Sequence, residues 1–303
     1  MNKVNVLLTG HTGFLGRAIR SFLETNNYTV LQLSKEDGGR IDITKPITID
    51  PTWNIEFVVH AAGKAHSVPT SPQEEKEFFN VNYEGTKNLC EALNNLEVKV
   101  KSFVFISTVS VYGVECGNNI DEEHPLMGTS PYARSKIMAE EHLKSWAQTF
   151  NIPLSILRLP LIAGNHPPGN LGSMINAIST GKYLSIGDGS ARKSMVWDQD
   201  VASLIPVVAA HEGIFNLTDR HHPSFREVEL AISERIGKKA PLRIPLAVGK
   251  LVGLIGDLVG VKSPINSDKV KKITSDLTFN DDKAVTILGW KPSIVIGKIG
   301  DVL

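Results

Sequence analysis

A glycine-rich turn stands at the head of this chain and constrains what can follow it. Residues 9–17 read TGHTGFLGR, which places Gly10, Gly13 and Gly16 in the spacing GxxGxxG. An apolar run, Val4 to Leu8, precedes the turn and predicts a strand; Phe14 to Glu24 follows it and predicts a helix. Strand, tight turn and helix in that order open a βαβ unit, and βαβ units build parallel sheets. Glycine lets the backbone turn sharply and come close to a pyrophosphate. The first turn of the helix then offers unpaired N–H groups and the positive end of its dipole. The residues expected to hold a dinucleotide here are Gly10, Thr12, Gly13, Phe14, Leu15, Gly16 and Arg17.

The alternation continues. Val30 to Leu33, Phe57 to His60, Ser102 to Ser107 and Leu154 to Leu159 predict further strands, with a shorter one near Gly39 to Ile41. Glu74 to Leu96 reads as one long helix or two joined ones. Pro131 to Phe150 reads as a helix, with Ser130 as its N-cap and proline in its first position. The expected fold class is α/β: a Rossmann-type, doubly wound parallel sheet with a smaller mixed α/β substrate domain. Ala163 to Gly172 (AGNHPPGNLG) predicts a loop and a domain seam. Past it, Leu171 to Thr180 and Asp200 to Ala210 predict helices and Met195 to Trp197 a strand. This assigns residues 1–165, with 194–222 returning, to the dinucleotide-binding domain, and 166–193 and 223–303 to the substrate domain.

The second strand bears on which dinucleotide. After Tyr28 to Leu33 come Ser34 and Lys35, and no acid stands there before Glu36 and Asp37. NAD-binding sites usually place an acid at this point for the ribose 2′-OH. A hydroxyl and a cation suit a 2′-phosphate, and Arg17 adds a second cation, so NADP is the preferred cofactor and NAD the alternative. Lys35 as a solvated loop charge remains open. Asp42 and Ile43 are expected near the adenine, with a turn aspartate as the other reading of Asp42.

Charge and composition limit the partners. Lys+Arg and Asp+Glu both number 32, so there is no global field for nucleic acid or an anionic membrane. The N-terminus lacks the pattern of a secretory signal, and no apolar run reaches the roughly 18 residues of a span. Residues 244–261 come nearest, interrupted by Lys250, Asp257 and four glycines. Within them Leu251, Leu254, Ile255 and Leu258 recur at helical spacing, with Gly249, Gly253, Gly256 and Gly260 on another face. Its polar face is poor in cations, so this helix is expected to pack closely within the small domain rather than lie on a membrane. Cys90 and Cys116 are too few for a disulfide framework and read as reduced thiols in a cytoplasmic protein.

The reactive pattern is Tyr132-Ala-Arg-Ser-Lys136. The i, i+4 spacing puts Tyr132 and Lys136 on one helix face. A phenol titrates near 10, and a neighbouring ammonium lowers that value, so the tyrosine can exchange a proton with a sugar hydroxyl or ketone. Ser107 and Thr108 end the preceding strand, where parallel sheets hold their ligands, and are expected to bond a substrate oxygen.

TGHTGFLG, VVHAAG, NYEGT, FISTVSVYG, SPYARSK and LGWKP resemble, in order and spacing, the motifs of the extended short-chain dehydrogenase/reductases. Within that family the chain is similar to NAD(P)-dependent nucleotide-sugar epimerases and 4-keto-sugar reductases. The resemblance implies a catalytic set of Thr108, Tyr132 and Lys136. Asn82 supports the active-site helix or is a buried structural asparagine; His60, Ala61, Ala62 and Gly63 line the cofactor. It also implies a homodimer paired through helices around 84–97 and 132–149. Sugar 4,6-dehydratases of this family carry an Asp-Glu pair after the threonine. Val109 and Ser110 stand there in this chain, which argues against water elimination.

For a nucleotide-sugar substrate, Asn170 and Leu171 open a helix whose N–H groups suit a diphosphate. Arg192 and Lys193 resemble the family's phosphate-binding position, and Lys64 and His66 are expected to face the sugar. The expected reaction is hydride transfer at C4 of a nucleoside-diphosphate hexose, by a 4-keto-sugar reductase or a 4-epimerase. Reduction of a non-sugar ketone and a non-catalytic NAD(P)-sensing role are the alternatives.

Overall fold

The computed structural model describes residues 3–33, 41–65, 69–259 and 266–299. Its strands are β1 (Val4–Thr9), β2 (Tyr28–Leu31), β3 (Phe57–His60), β4 (Ser102–Thr108), β5 (Gly117–Ile120) and β6 (Leu154–Leu159). The shorter β7 (Leu161–Ala163), β8 (Leu184–Ile186), β9 (Met195–Trp197), β10 (Gly213–Asn216), β11 (Leu242–Ile244) and β12 (Leu277–Phe279) follow. Six of them form one parallel sheet in the order β10-β6-β4-β3-β1-β2.

This sheet is covered on both faces, which is why its strands read as near-continuous apolar runs. One face packs Val6, Leu8 and Val104 against α1 (Phe14–Thr25), through Ile19 and Leu23. The other packs Leu7, Val58 and Phe105 against α3 (Gly85–Asn94) and α4 (Pro131–Phe150), through Leu89, Leu143 and Trp146. The chain leaves β1 toward β2 and then crosses to β3 on the other side. That reversal opens a crevice beyond the C-terminal ends of β1 and β3, the place where such sheets bind ligands.

Several boundaries differ from the sequence pattern. The helical stretch expected over 74–96 starts earlier, with α2 (Pro72–Phe79) capped by the Ser71 side chain. It then passes through a π-helical turn, Asn80–Glu84, before α3. The expected loop 163–172 is interrupted by the start of α5 (Gly169–Ser179), and α6 (Asp198–Val208) begins two residues early. Of the strand expected near Gly39 to Ile41, residues 39 and 40 lie outside the described residues, and Ile41 is irregular.

Outside the main sheet, β7 pairs with β9, β8 with β11 and β5 with β12. A separate apolar cluster joins Leu171, Met195, Trp197 and, on α7 (Phe225–Arg235), Val228 and Ile232. The glycine-leucine helix packs through its glycines. In α8 (Leu246–Val259) the glycines are the buried face: a Cβ on Gly249 would lie 2.3 Å from Ile186 Cγ2. One on Gly253 would lie 3.2 Å from the backbone of Ser267 in α9 (Ser267–Ile273). Leu251, Leu254, Ile255 and Leu258 face outward instead. A face without Cβ atoms permits backbone-close packing that leucines would prevent. Among the described residues no helix is long and apolar enough to cross a membrane.

Candidate active site

The glycine turn meets the end of β3 at backbone distance. Gly10 has φ +74°, and a Cβ there would fall 2.5 Å from Ala62 N. A Cβ on Gly16 would fall 2.0 Å from Gly10 O, so α1 starts directly against the loop. Both positions admit no side chain. Thr12 and Gly13 lie exposed at the helix start, whose first N–H groups have no side-chain cap. Leu15 is buried in the core, so any ligand contact it makes is through its backbone. Arg17 is exposed and donates to Thr12 O at 2.9 Å.

Beside this crevice, β4 and α4 bring Thr108, Tyr132 and Lys136 together. Pro131 in the first turn and Ser130, which accepts from Ala133 N at 3.2 Å, start α4 where the pattern placed it. Lys136 is 4% exposed and donates to Ile106 O at 2.8 Å, with its ammonium 4.5 Å from the centre of the Phe105 ring. Two residues beyond Ile106, Thr108 caps a short 3-10 turn, donates to Ser110 Oγ at 3.2 Å and stands beside the Tyr132 phenol. Phe78 lies against the Tyr132 ring, with centroids 6.1 Å apart.

Electrostatics here correct one expectation. Burial pushes the half-buried Tyr132 phenol above its usual 10, and the Thr108 hydroxyl beside it only opposes that. The anticipated lowering by Lys136 is not the governing effect, because that ammonium is turned to the Ile106 carbonyl. Burial in turn brings Lys136 down from 10.5 to about 8, while the charge of Glu140 one turn along α4 resists the fall.

Two strand-end residues are placed differently from expectation. Ser107 does not reach the crevice: its hydroxyl donates to buried Glu140 at 2.5 Å. The His60 ring lies in the core, 2.6 Å from Thr9 Oγ1 and 2.9 Å from Thr86 Oγ1, and burial pushes it down to about 3. Side chains alternate along a strand, so the neighbours of Thr108 and Ala61 necessarily point away from them. Ala61, Ala62 and Gly63 do run along the crevice edge by their backbone. A Cβ on Gly63 would sit 3.0 Å from Asn82 Oδ1 and 3.3 Å from Lys136 Nζ. The glycine leaves a cradle beside the lysine, and that cradle, the exposed glycine turn and the buried amine fit a dinucleotide.

Asn82 belongs to the frame of the site. Its Oδ1 accepts from Lys64 N at 2.7 Å, and its Nδ2 donates to Lys64 O and to Ser135 Oγ. The π turn brings it there, tying the 63–64 loop to α4. Lys64 is paired with Glu77 at 2.7 Å and lies over Phe78, the ring that neighbours Tyr132. Asp42 accepts from Thr44 N and Oγ1 in a turn, and Ile43 packs against α3 at Gly85. Ser34, Lys35 and His66 lie outside the described residues.

On the substrate side, Asn170 is exposed in the first turn of α5. Leu171 is 2% exposed within the apolar cluster, so its side chain is core and only its backbone can meet a ligand. The Arg192 guanidinium is engaged by His221 O and His222 O and lies 3.7 Å from Glu227. Lys193 is half-buried, held below its usual value by that burial, among Asp276, Lys272 and Glu115.

A buried network behind the triad went unread. Arg158, 2% exposed, donates to both oxygens of Glu140, at 2.7 and 3.2 Å. Its other arm reaches Tyr112 Oη, which donates to Asn216 Oδ1 at 2.7 Å. The signals were present: Glu140 continues the Tyr132, Lys136 face at i+4, and Arg158 is a lone cation in the apolar run LSILRL.

The chain is similar to known proteins over most of its length. A profile of the NAD dependent epimerase/dehydratase family matches residues 6–217. An Escherichia coli O157:H7 protein, N-acetyl-alpha-D-glucosaminyl-diphospho-ditrans,octacis-undecaprenol 4-epimerase, is 28% identical over 300 residues, 92% of this chain and 88% of that one. The UDP-glucose 4-epimerase of Vibrio cholerae is 28% identical over 310 residues, 95% of this chain and 90% of that one. The crystal structure of a UDP-glucose 4-epimerase from Thermotoga maritima with UDP-glucose superposes with a TM-score of 0.75 at 21% identity, over 99% of this chain and 97% of that one. The fold is the Rossmann-type fold of these proteins.

Proposed function

The chain belongs to the NAD dependent epimerase/dehydratase family, and from that premise we propose that it acts at C4 of a diphosphate-linked sugar, as a 4-keto-sugar reductase or a 4-epimerase. The observation that carries this reading is the meeting of Thr108, Tyr132 and Lys136 beside the glycine turn. The nicotinamide, when bound, supplies or accepts the hydride. Tyr132 supplies or accepts the proton at the C4 oxygen, and Thr108 orients both groups by hydrogen bonding. Lys136, near 8, carries charge at neutral pH and favours the phenolate when Tyr132 gives up its proton. The phenol form of Tyr132 donates to a ketone oxygen and its phenolate accepts from a hydroxyl, so the same residue serves a reductase or an epimerase.

Val109 and Ser110, after Thr108, offer no acid or base for removing water, so 4,6-dehydration is not part of the proposed activity. NADP is the preferred cofactor, on Arg17 at the head of α1 and on Ser34 and Lys35 in the sequence. The two curated relatives named above act on UDP-glucose and on a polyprenol-linked sugar diphosphate. The sugar diphosphate is their common part, and the α5 N-terminus with Lys193 suits it. A homodimer through α3 and α4 and a reducing compartment for the two free thiols, Cys90 and Cys116, complete the reading.

Mass spectrometry of the nucleotide released on denaturing the purified protein tests it. NADP, or no nucleotide, together with NADPH consumption on a 4-keto nucleotide sugar is the expected result. Stoichiometric NAD would make the protein an epimerase that recycles its cofactor in place. Dinucleotide binding with no turnover on any sugar diphosphate would leave the sensing role.

A further inference from the structure

Apolar side chains on the outside of this protein are concentrated in one place. Of the sixteen large hydrophobic residues exposed among the described residues, nine are Leu184, Leu242 and seven on α8. Leu251 and Leu254 are each 59% exposed, and Leu258 is 89% exposed. Leu184 and Leu242 stand opposite each other in register on β8 and β11, and β8 packs against the glycine face of α8 through Ile186. Leu251, Leu254, Ile255 and Leu258 follow the i, i+3, i+4, i+7 spacing of a single helical stripe. An apolar stripe normally faces a core; this one faces out while glycines hold the helix down.

Charge around the stripe is as uneven as its hydrophobicity. Residues 238–272 contain eight Lys or Arg and two Asp, a local excess of six positive charges in a chain whose total is zero. Lys238, Lys239, Lys250 and Lys271 are exposed. Lys272 is paired with Glu115, and Arg243 lies 3.9 Å from Glu229. The cations that α8 lacks on its own polar face are thus supplied by the segments beside it, β11 with its approach and α9.

We propose that the outer face of α8, with Leu184 and Leu242, docks this protein peripherally on an anionic phospholipid surface. The leucines and isoleucine would enter the boundary of headgroups and acyl chains, and the flanking lysines would meet lipid phosphates. Charge decides between this occupant and a second copy of the chain. A two-fold contact through the same face would bring two clusters of excess positive charge together, whereas an anionic surface complements them. The proposal is independent of the reaction, since its readout is lipid binding.

Co-sedimentation of the full chain with vesicles of phosphatidylcholine alone, and of phosphatidylcholine with phosphatidylglycerol, tests it. The chain is expected to bind the anionic vesicles, less so as salt rises, and the neutral ones far more weakly. Leu254→Glu with Leu258→Glu should reduce binding on the order of tenfold or more, and Lys238→Glu with Lys239→Glu several-fold. The melting temperature reports whether these variants fold. Should the acidic pair fail to fold, Leu258→Trp replaces it: a blue shift of its emission is expected only with anionic vesicles. No vesicle binding, binding unchanged by the leucine pair, or no shift from the tryptophan would overturn the proposal. So would a light-scattering mass that falls from dimer to monomer in the leucine pair without vesicle binding, which would give this face to a second copy.

Discussion

Helix α4 carries two polar constellations of opposite character, one turn apart. At its N-terminal end Tyr132 is half-buried beside Thr108, and Lys136 makes a single backbone hydrogen bond next to the cradle at Gly63. At Glu140 everything is closed: Arg158 and Ser107 saturate the carboxylate, and Tyr112 and Asn216 extend the chain of bonds. The first set keeps bonding capacity for something that arrives; the second uses all of it internally. A fully satisfied buried network rigidifies its surroundings, and here it fixes the helix on which the reactive pair stands. Reactivity and rigidity therefore come from the same face of one helix, separated by depth.

The comparison can be broken most forcefully at its reactive end. Tyr132→Phe should lower turnover about 10²–10⁴-fold while dinucleotide affinity, read by fluorescence titration, stays near that of the parent. Loss of both together would mean that the tyrosine holds the cofactor rather than moving a proton. At the closed end, Arg158→Met strands the buried Glu140 charge and should cost about 3–5 kcal/mol in urea unfolding. Combining it with Glu140→Leu should recover most of that loss. A double variant as unstable as the single one would show that the two residues do not act as a pair.

A pH series sharpens the contrast. Lys136 titrates near 8 in the folded chain and at its ordinary 10.5 when unfolded, so the unfolded chain binds more protons between these values. Stability from this group therefore rises with pH across that window, by up to about 3 kcal/mol, and the burden of the buried ammonium is fully present below it. Lys136→Met should flatten the slope in thermal melts recorded across the window. The smallest effect belongs to Ser107→Ala, expected to cost about 1–3 kcal/mol of stability with no change in KM. A raised KM instead would return Ser107 to the substrate side.

Much of this was legible because it is local. The glycine spacing, the strand before it and the helix after it define the crevice by nearest-neighbour geometry. The i, i+4 pair Tyr132 and Lys136 shares a face on any α-helix, and the apolar runs of a sheet covered on both sides announce themselves. His60 and Ser107 were misplaced because both belong to a motif whose strand alternation sends every second side chain into the core. The π turn that aims Asn82 at the 63–64 loop left no periodic trace, since one wide turn shifts the register only after it has occurred.

By itself, then, the sequence determined the fold class, the crevice and the reactive pair, all properties of residues a few positions apart. Tertiary structure alone decided what lies behind and opposite them. Glu140 meets Arg158 eighteen residues on, and Tyr112 meets Asn216 across 104 residues, contacts that exist only once strands β4, β6 and β10 lie side by side. Periodicity likewise announced two faces of α8 without saying which one docks. Close approach of Ile186 and α9 chose the glycine face, because only a surface without Cβ atoms accepts a neighbour at that distance, and the leucines were left outside.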